Sequence, residues 1–382
     1  MAYVLSVLKE TRSGEKRVAV IPAVATRLKR LGADVRIEAG AGQAAAFPDK
    51  AYGDARIEPD RDRLSGEADI VLAVQPPSLA TIAAMKPGAI LMSFVYAATS
   101  PDLVRALRDG RITCFAMERI PRISRAQAMD ALSSQAALAG YYAPLLGAVH
   151  MPRILPMMTT AVGSLRAAKV LVMGLGVAGL QALATAHRLG AITEGYDVRP
   201  ETKEQAQSLG AKFVDTGVDA RGAGGYAREL TAEEQAKVQA ALDRHIADAD
   251  LIITTASVPG KAAPRLISAA QIAAMKPGAV IVDLGAEGGG NCEGTRPGET
   301  TVIGPATVLA PLNVPSMLAQ HASELYAKNL LNLVELITAD GAIHLDFDDE
   351  VVAATVLTHD GTVRDAAVQA ALAKDESREM AV

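Results

Sequence analysis

From end to end the chain alternates short apolar, β-branched runs with stretches of helical periodicity. In the first third, VLSVLKE, DVRIEAG, DIVLAV, AILMSFV and ITCFAME read as strands, with helical stretches such as AVATRLKRLG between them. After residue 140 the pattern returns in KVLVMG, ITEGYDV, KFVD, LIITTA, AVIVDLG and TVIG. Short strands separated by helices are the mark of βα units on parallel sheets. The expected fold class is α/β, with two Rossmann-like, doubly wound parallel-sheet domains.

An internal echo supports two related domains. ADIV at 68–71 precedes IAAMKPGAILMS at 82–93, and ADLI at 249–252 precedes IAAMKPGAVIVD at 272–283. The shared IAAMKPGA, in matching order behind a similar strand, points to duplication of one βα domain. After NVPS at 313–316 comes a long amphipathic pattern, MLAQHASELYAKNLLNLVELI, and then two β-like runs around THDGTV, whose Asp-Gly is a hairpin signal. This tail is too short for a domain and is expected to pack back on the first one. The expected boundaries are 1–136 with 316–382 for a discontinuous first domain and 137–315 for the second. A cleft between them would be a natural ligand site.

Composition narrows the function. The 382 residues are half apolar, enough for two or three domains with real cores. With no Trp and 3% aromatic residues, packing leans on Ala, Val, Leu, Ile and Met. A net charge of −5 and the lack of any Lys/Arg block argue against nucleic-acid binding. Cys114 and Cys292 read as ordinary small residues of a reduced compartment. The opening MAYVLSVLKETRSGEKR lacks the layout of a signal peptide and reads as a strand entering a loop. The most apolar stretch, AALAGYYAPLLGAVHM at 136–151, is shorter than the roughly 20 residues of a membrane span. It contains Pro144 and His150 and is expected to be a buried helix in a soluble chain.

The strongest chemical signal is KVLVMGLGVAGLQALATAHRLGAITEGYDVR at 169–199. Gly174, Gly176 and Gly179 form G-x-G-x-x-G after a strand, Val177 opens the helix, and the next strand ends in Asp197. The first glycine permits the turn, the second lets backbone approach a pyrophosphate, and the third lets helix and strand pack closely. Asp197 suits both ribose hydroxyls and repels a 2′-phosphate, favouring NAD(H) over NADP(H). Arg199 tempers this, because arginine pairs with phosphate. TTASVPGK at 254–261 follows a strand, so Thr254, Thr255 and Ala256 either contact the cofactor or simply end that strand. GAGGYAREL at 222–230 reads either as a surface loop or as a lid carrying Tyr226.

PRISRAQAMDALSSQ at 121–135 gathers hydrogen-bonding groups without a His, Lys or Cys. Ser124 and Gln127 have capping-box spacing, so Ser124 is expected to start a helix. Continuing that helix places Gln127, Asp130 and Ser133 on one polar stripe, with Arg122 just before it. Such groups can grip a nicotinamide carboxamide or a substrate carboxylate.

With these motifs in place, the chain resembles the NAD(H)-binding component (alpha-1 subunit, or domain I) of proton-translocating nicotinamide nucleotide transhydrogenase. That component belongs to the alanine dehydrogenase/transhydrogenase family. The resemblance rests on KETRSGEKRVAVIPA, PRISRAQAMDALSSQ, VLVMGLGVAGLQA with DVR, GGYA, TTASVPGK, VDLGAEGGGNC and NVPS followed by AKNLL. It implies an NAD(P)+ transhydrogenase of Re/Si specificity, active only with partner subunits. NAD(H) would be bound by this chain and NADP(H) by a separate partner domain, without a metal. A membrane-spanning proton-channel subunit, a homodimer, and a place on the cytoplasmic side of a bacterial inner membrane are also implied. By the same resemblance Arg122, Gln127, Asp130 and Ser133 approach the nicotinamide. Cofactor contacts are implied at Gly174, Gly176, Val177, Gly179, Asp197, Val198, Arg199, Gly225, Tyr226, Thr255 and Ala256.

Alanine dehydrogenase is the alternative within the same fold. Where those enzymes carry a catalytic lysine, histidine and aspartate, this chain has Gln75, Tyr96 and Glu287, while Arg17 matches their carboxylate-binding arginine. Direct hydride passage between two nicotinamides needs alignment rather than a general base, which suits a cluster of orienting groups. A third reading, from another class, is an NAD-binding module without catalysis.

Overall fold

The computed structural model describes residues 3–219, 221, 228–257 and 262–379, the last five by backbone alone. Two compact units divide it: Met1–Gln135 with Pro315–Val382, and Ala136–Val314. Strands β1 (Val4–Val7), β2 (Asp34–Glu38), β3 (Arg56–Glu58), β4 (Ile70–Leu72), β5 (Ile90–Ser93) and β6 (Thr113–Ala116) belong to the first. The second holds a separate hairpin, β7 (Met158–Thr160) with β8 (Gly163–Leu165), and seven sheet strands. These are β9 (Lys169–Met173), β10 (Ile192–Tyr196), β11 (Lys212–Phe213), β12 (Leu251–Thr254), β13 (Ala279–Asp283), β14 (Thr300–Ile303) and β15 (Ala306–Leu309). The tail adds a small hairpin, β16 (Thr338–Ala339) with β17 (Ala342–Ile343), and then β18 (Val356–His359) and β19 (Thr362–Val363).

The two sheets repeat one plan. The first runs β19-β18-β6-β5-β4-β1-β2-β3 and the second β11-β10-β9-β12-β13-β15-β14. In each, the unit's first parallel sheet strand sits centrally, and the order reverses beside it, between β1 and β4 or between β9 and β12. That is the doubly wound arrangement. The parallel pattern holds except at the edges, where β14, β18 and β19 are antiparallel. The tail hairpin turns at Asp360 and Gly361, both at positive φ, as the Asp-Gly signal requires.

Helices cover both faces of each sheet, so the central strands read as unbroken apolar runs. Ile70 and Leu72 face one core of the first unit with helices Pro22–Arg30 and Ala319–Leu336, while Val71 faces the other. In the second, Val170 and Val172 pack toward helix Val177–Arg188, and Leu171 and Met173 toward helix Ala232–Asp248.

The sequence echo has a structural counterpart. Asp69 accepts the Val4 amide (2.7 Å) and pairs with Lys86 (2.6 Å). Asp250 accepts the Lys169 amide (2.8 Å) and pairs with Lys276 (3.3 Å). Gly88 and Gly278 make the same left-handed turn, at φ 84° and 79°, before the next strand. In both units the acid of ADIV or ADLI ties the start of the central strand to the lysine of IAAMKPGA.

Two local expectations fail. Helix Ala131–His150 is only partly buried, with Tyr141 43% and Val149 83% exposed, so residues 136–150 do not form a buried helix. Ser124 does not cap a helix. Ser124–Met129 is a 3-10 turn, and Asp130 leaves it with ψ 90°. The Asp130 carboxylate then accepts the Ser133 amide (2.9 Å) and hydroxyl (2.5 Å), which starts helix Ala131–His150. There is no continuous helix through Gln127, Asp130 and Ser133.

Candidate functional site

At the carboxyl end of β9 the chain turns through Gly174, whose φ of +95° strongly favours glycine. The Thr255 hydroxyl, just after β12, donates to the Gly174 carbonyl at 2.8 Å. A Cβ on Gly179 would stand 1.8 Å from that same carbonyl oxygen, so this glycine permits helix Val177–Arg188 to close on the turn. A Cβ on Gly176 would meet nothing within 4 Å. Two glycines thus serve close packing, and the middle one leaves open space before the helix N-terminus. The first-turn amides of a helix lack intrahelical partners, so an anion entering that space meets donors and a partial positive charge. The turn lies at the switch point between β9 and β12, where this fold places ligands. A dinucleotide diphosphate fits these features.

Asp197 lies beside the turn and is 9% exposed. Its carboxylate accepts the Leu175 amide (2.6 Å), the Arg199 amide (2.9 Å), Arg199 Nε (2.9 Å) and Arg199 Nη2 (2.8 Å). Arg199 is therefore turned onto Asp197, and Val198 between them packs against the core. Ala256 also borders the turn, its amide lying 3.1 Å from a Cβ on Gly174. Val177 is 45% exposed at the helix start. Gly225 and Tyr226, and with them the lid expected from the sequence, lie outside the described residues.

In the first unit, Arg122 and Gln127 are exposed, while Asp130 and Ser133 are half-buried and bonded to each other. Among the described residues no side-chain partner of Gln127 is found. The stretch is held from helix Ala319–Leu336. Asn329 Nδ2 donates to the Ala128 carbonyl (2.9 Å), and its Oδ1 accepts the Ser134 hydroxyl (2.7 Å).

A buried polar cluster that the motifs did not bring together fills the same unit. Arg17, 3% exposed, donates Nε and Nη2 to Glu15 (2.8 and 2.6 Å) and Nη1 to Gln135 (2.8 Å). Gln75 donates to Glu15 (2.8 Å) and accepts from Arg12 (3.2 Å). Burial alone would raise the Glu15 carboxyl, but the hydrogen bond and charge of Arg17, with Gln75, hold it down at about 2. Glu10 accepts the Val74 amide (2.6 Å) and the Gln75 amide (3.3 Å). Burial, reinforced by the nearby Glu15 charge, pushes it up to about 7 despite those amides.

Folded Glu10 therefore keeps its proton between pH 4.5 and about 7, where the unfolded chain releases it, so its contribution to stability falls as pH rises through that window. Glu15 acts oppositely, losing its stabilisation as pH falls from 4.5 toward 2. Relative to the parent, Glu10→Gln is expected to gain on the order of 2–3 kcal/mol between pH 5 and pH 8. Denaturant melts across that range check this. A pH-independent difference would show that Glu10 is charged throughout.

The chain matches family models described as "Alanine dehydrogenase/PNT, N-terminal domain" over residues 6–139 and "Alanine dehydrogenase/PNT, C-terminal domain" over residues 143–366. The chain belongs to the alanine dehydrogenase/PNT family. Among its relatives is a Rhodospirillum rubrum protein named as the first portion of NAD(P) transhydrogenase subunit alpha. It is 44% identical over 372 residues, which is 94% of this chain and 97% of the relative. The alanine dehydrogenase of Mycobacterium tuberculosis is 33% identical over 294 residues, 75% of this chain and 74% of that protein. The crystal structure of transhydrogenase from Sinorhizobium meliloti superposes with a TM-score of 0.84 at 42% identity, covering 95% of this chain and 99% of that one.

The positions at which the sequence resemblance set this chain apart from alanine dehydrogenases are Gln75, Tyr96 and Glu287. Gln75 is locked between Arg12 and Glu15. Tyr96 is 38% exposed at φ +53°, its ring stacked on Phe94. Glu287 accepts the Asn313 amide at 2.8 Å. Among the described residues no group of three or more His, Cys, Asp or Glu is placed to hold a metal ion, and no helix is long and apolar enough to cross a membrane.

Proposed function

We propose that this chain is the NAD(H)-binding component of a proton-translocating transhydrogenase of Re/Si specificity. It presents NADH for direct hydride transfer to NADP+ on a separate domain, with proton movement through a membrane-spanning subunit. The observation that carries this reading is the near full-length likeness to a relative named as a transhydrogenase alpha subunit. The diphosphate sits before helix Val177–Arg188, over Gly176. The adenosine ribose competes with the Arg199 guanidinium for Asp197, so ribose binding and release of Arg199 are one exchange. Thr255 and Ala256 wall the pocket, and Gly225 and Tyr226 contribute to cofactor binding. Arg122, Gln127, Asp130 and Ser133 serve the nicotinamide end.

A homodimer and a position on the cytoplasmic side of a bacterial inner membrane belong to the same reading. The dimer is supported by hairpin β7–β8 and its flank, where Met157, Val162 and Leu165 are 71%, 98% and 54% exposed.

Mixed with an NADP(H)-binding partner domain, the chain is expected to exchange hydride between NADH and an NADP+ analogue, read by absorbance. No exchange would sink the proposal. The alanine dehydrogenase alternative is supported by the mycobacterial relative. It requires turnover with pyruvate, ammonium and NADH, which the proton-inert Gln75 is expected to preclude.

A further inference from the structure

The loop after β13, LGAEGGGNCEGT, is built around two buried polar side chains that the proposed function leaves unused. Asp283 has no exposed surface. Its Oδ1 accepts the Thr254 hydroxyl (3.0 Å) and the Gly285 amide (2.9 Å). Its Oδ2 accepts the amides of Asn291 (2.8 Å) and Cys292 (3.1 Å) and the Thr295 hydroxyl (2.7 Å). Five donors on two oxygens pin the loop to the end of β13.

Asn291, also without exposed surface, is the residue this arrangement delivers. Its Nδ2 donates to the carbonyls of Ala256 (2.9 Å) and Pro264 (2.8 Å). Two carbonyl acceptors fix which end of the amide is the nitrogen. Its Oδ1 then lies against Gly285, 2.6 Å from where a Cβ would stand, with no hydrogen-bond partner among the described residues. A buried acceptor left unpaired destabilises a fold. What the amide secures in return is a fixed place for Ala256. Thr255, the preceding residue, holds the Gly174 carbonyl through its hydroxyl. A chain of short contacts thus runs from Asp283 through Asn291 and the Thr255–Ala256 backbone to the glycine turn, all within one unit.

We propose that Asn291 is a positioning residue for the dinucleotide. Its amide clamps the two carbonyls and sets the wall formed by Thr255 and Ala256 at a fixed distance from the Gly174 turn. This rests on reading the glycine turn as the NAD(H) site. Asn291→Asp is the nearest isostere, and it replaces both N–H donors by an oxygen facing two carbonyls. In NADH fluorescence titrations its Kd is expected to rise at least about tenfold. The buried oxygen facing two carbonyls also lowers the thermal midpoint, so the titrations are made well below it, where parent and variant are both folded. In the mixed-domain assay the NADH KM rises while kcat falls by less than about threefold, because the clamp serves ground and transition states alike.

Asp197→Ala is titrated alongside. If it binds NADH like the parent, the cofactor-site reading fails and this inference with it. If Asp197→Ala weakens binding and Asn291→Asp does not, this inference alone is overturned. Should Asn291→Asp not fold, Asn291→Ala takes its place. Loss of fold in both overturns the proposal, since Asn291 would then serve the fold as a whole.

Discussion

Gly179→Ala is expected to lower NADH affinity about a hundredfold or more, roughly 2.7 kcal/mol, and to destabilise the second unit as well. The added Cβ would stand 1.8 Å from the Gly174 carbonyl oxygen and 3.2 Å from the Thr255 hydroxyl. No rotamer relieves a backbone clash, so either helix Val177–Arg188 moves away or the turn reshapes. Both movements break the Thr255–Gly174 hydrogen bond and shift the helix N-terminus off the diphosphate. Overpacking of this kind costs about 1–3 kcal/mol in stability.

Gly176→Ala provides the contrast, because its Cβ meets nothing within 4 Å. Its melt should match the parent while NADH binding weakens, since only a ligand occupies that space. Titration and melting of both variants check the pair. Equal effects on binding and stability in both would mean that the turn is structural and that the dinucleotide lies elsewhere.

That contrast marks how far the sequence could be read. The G-x-G-x-x-G spacing located the turn and the helix start, because the requirement for glycine is local. The β-branched runs located the central strands for a similar reason, both faces being buried. Some elements were not marked by such runs. Strand β3 is three residues with charged Arg56 and Glu58, and hairpin β7–β8 is exposed throughout, so neither carries an apolar pattern.

The helix cap was misread for a different reason. Ser124 reads as the cap from its spacing to Gln127, but the structure uses Asp130, which has the same spacing to Ser133. The choice is made from far along the chain. Asn329 and Asn332 donate to the Ala128 carbonyl, which removes it from any helix passing through residue 128. Asp130 is left to start the next one. The turning of Arg199 onto Asp197, the pairing of Arg17 with Glu15 and the Asn291 clamp are likewise contacts of three-dimensional placement, which spacing alone does not reveal.

The corrected cap sharpens the expectation for hydride transfer. Of the four groups assigned to the nicotinamide end, Asp130 and Ser133 already have a structural task, since each satisfies the other at a helix start. Gln127 has no side-chain partner among the described residues: it is exposed on a 3-10 turn anchored through Ala128, and an available amide on a rigid support is what alignment of a carboxamide requires. Gln127→Asn retracts that amide by one methylene without changing charge or chemistry. Single-turnover hydride transfer with the partner domain is expected to slow about a hundredfold, the scale of an ångström-sized misplacement. NADH affinity should change less than about threefold, because the diphosphate and ribose contacts lie on other residues. Stopped-flow transfer and NADH titration of the same preparation separate the two effects. Collapse of affinity with transfer per bound NADH intact would make Gln127 a binding residue only. An unchanged rate would move the aligning role to Arg122, the other exposed member of the four.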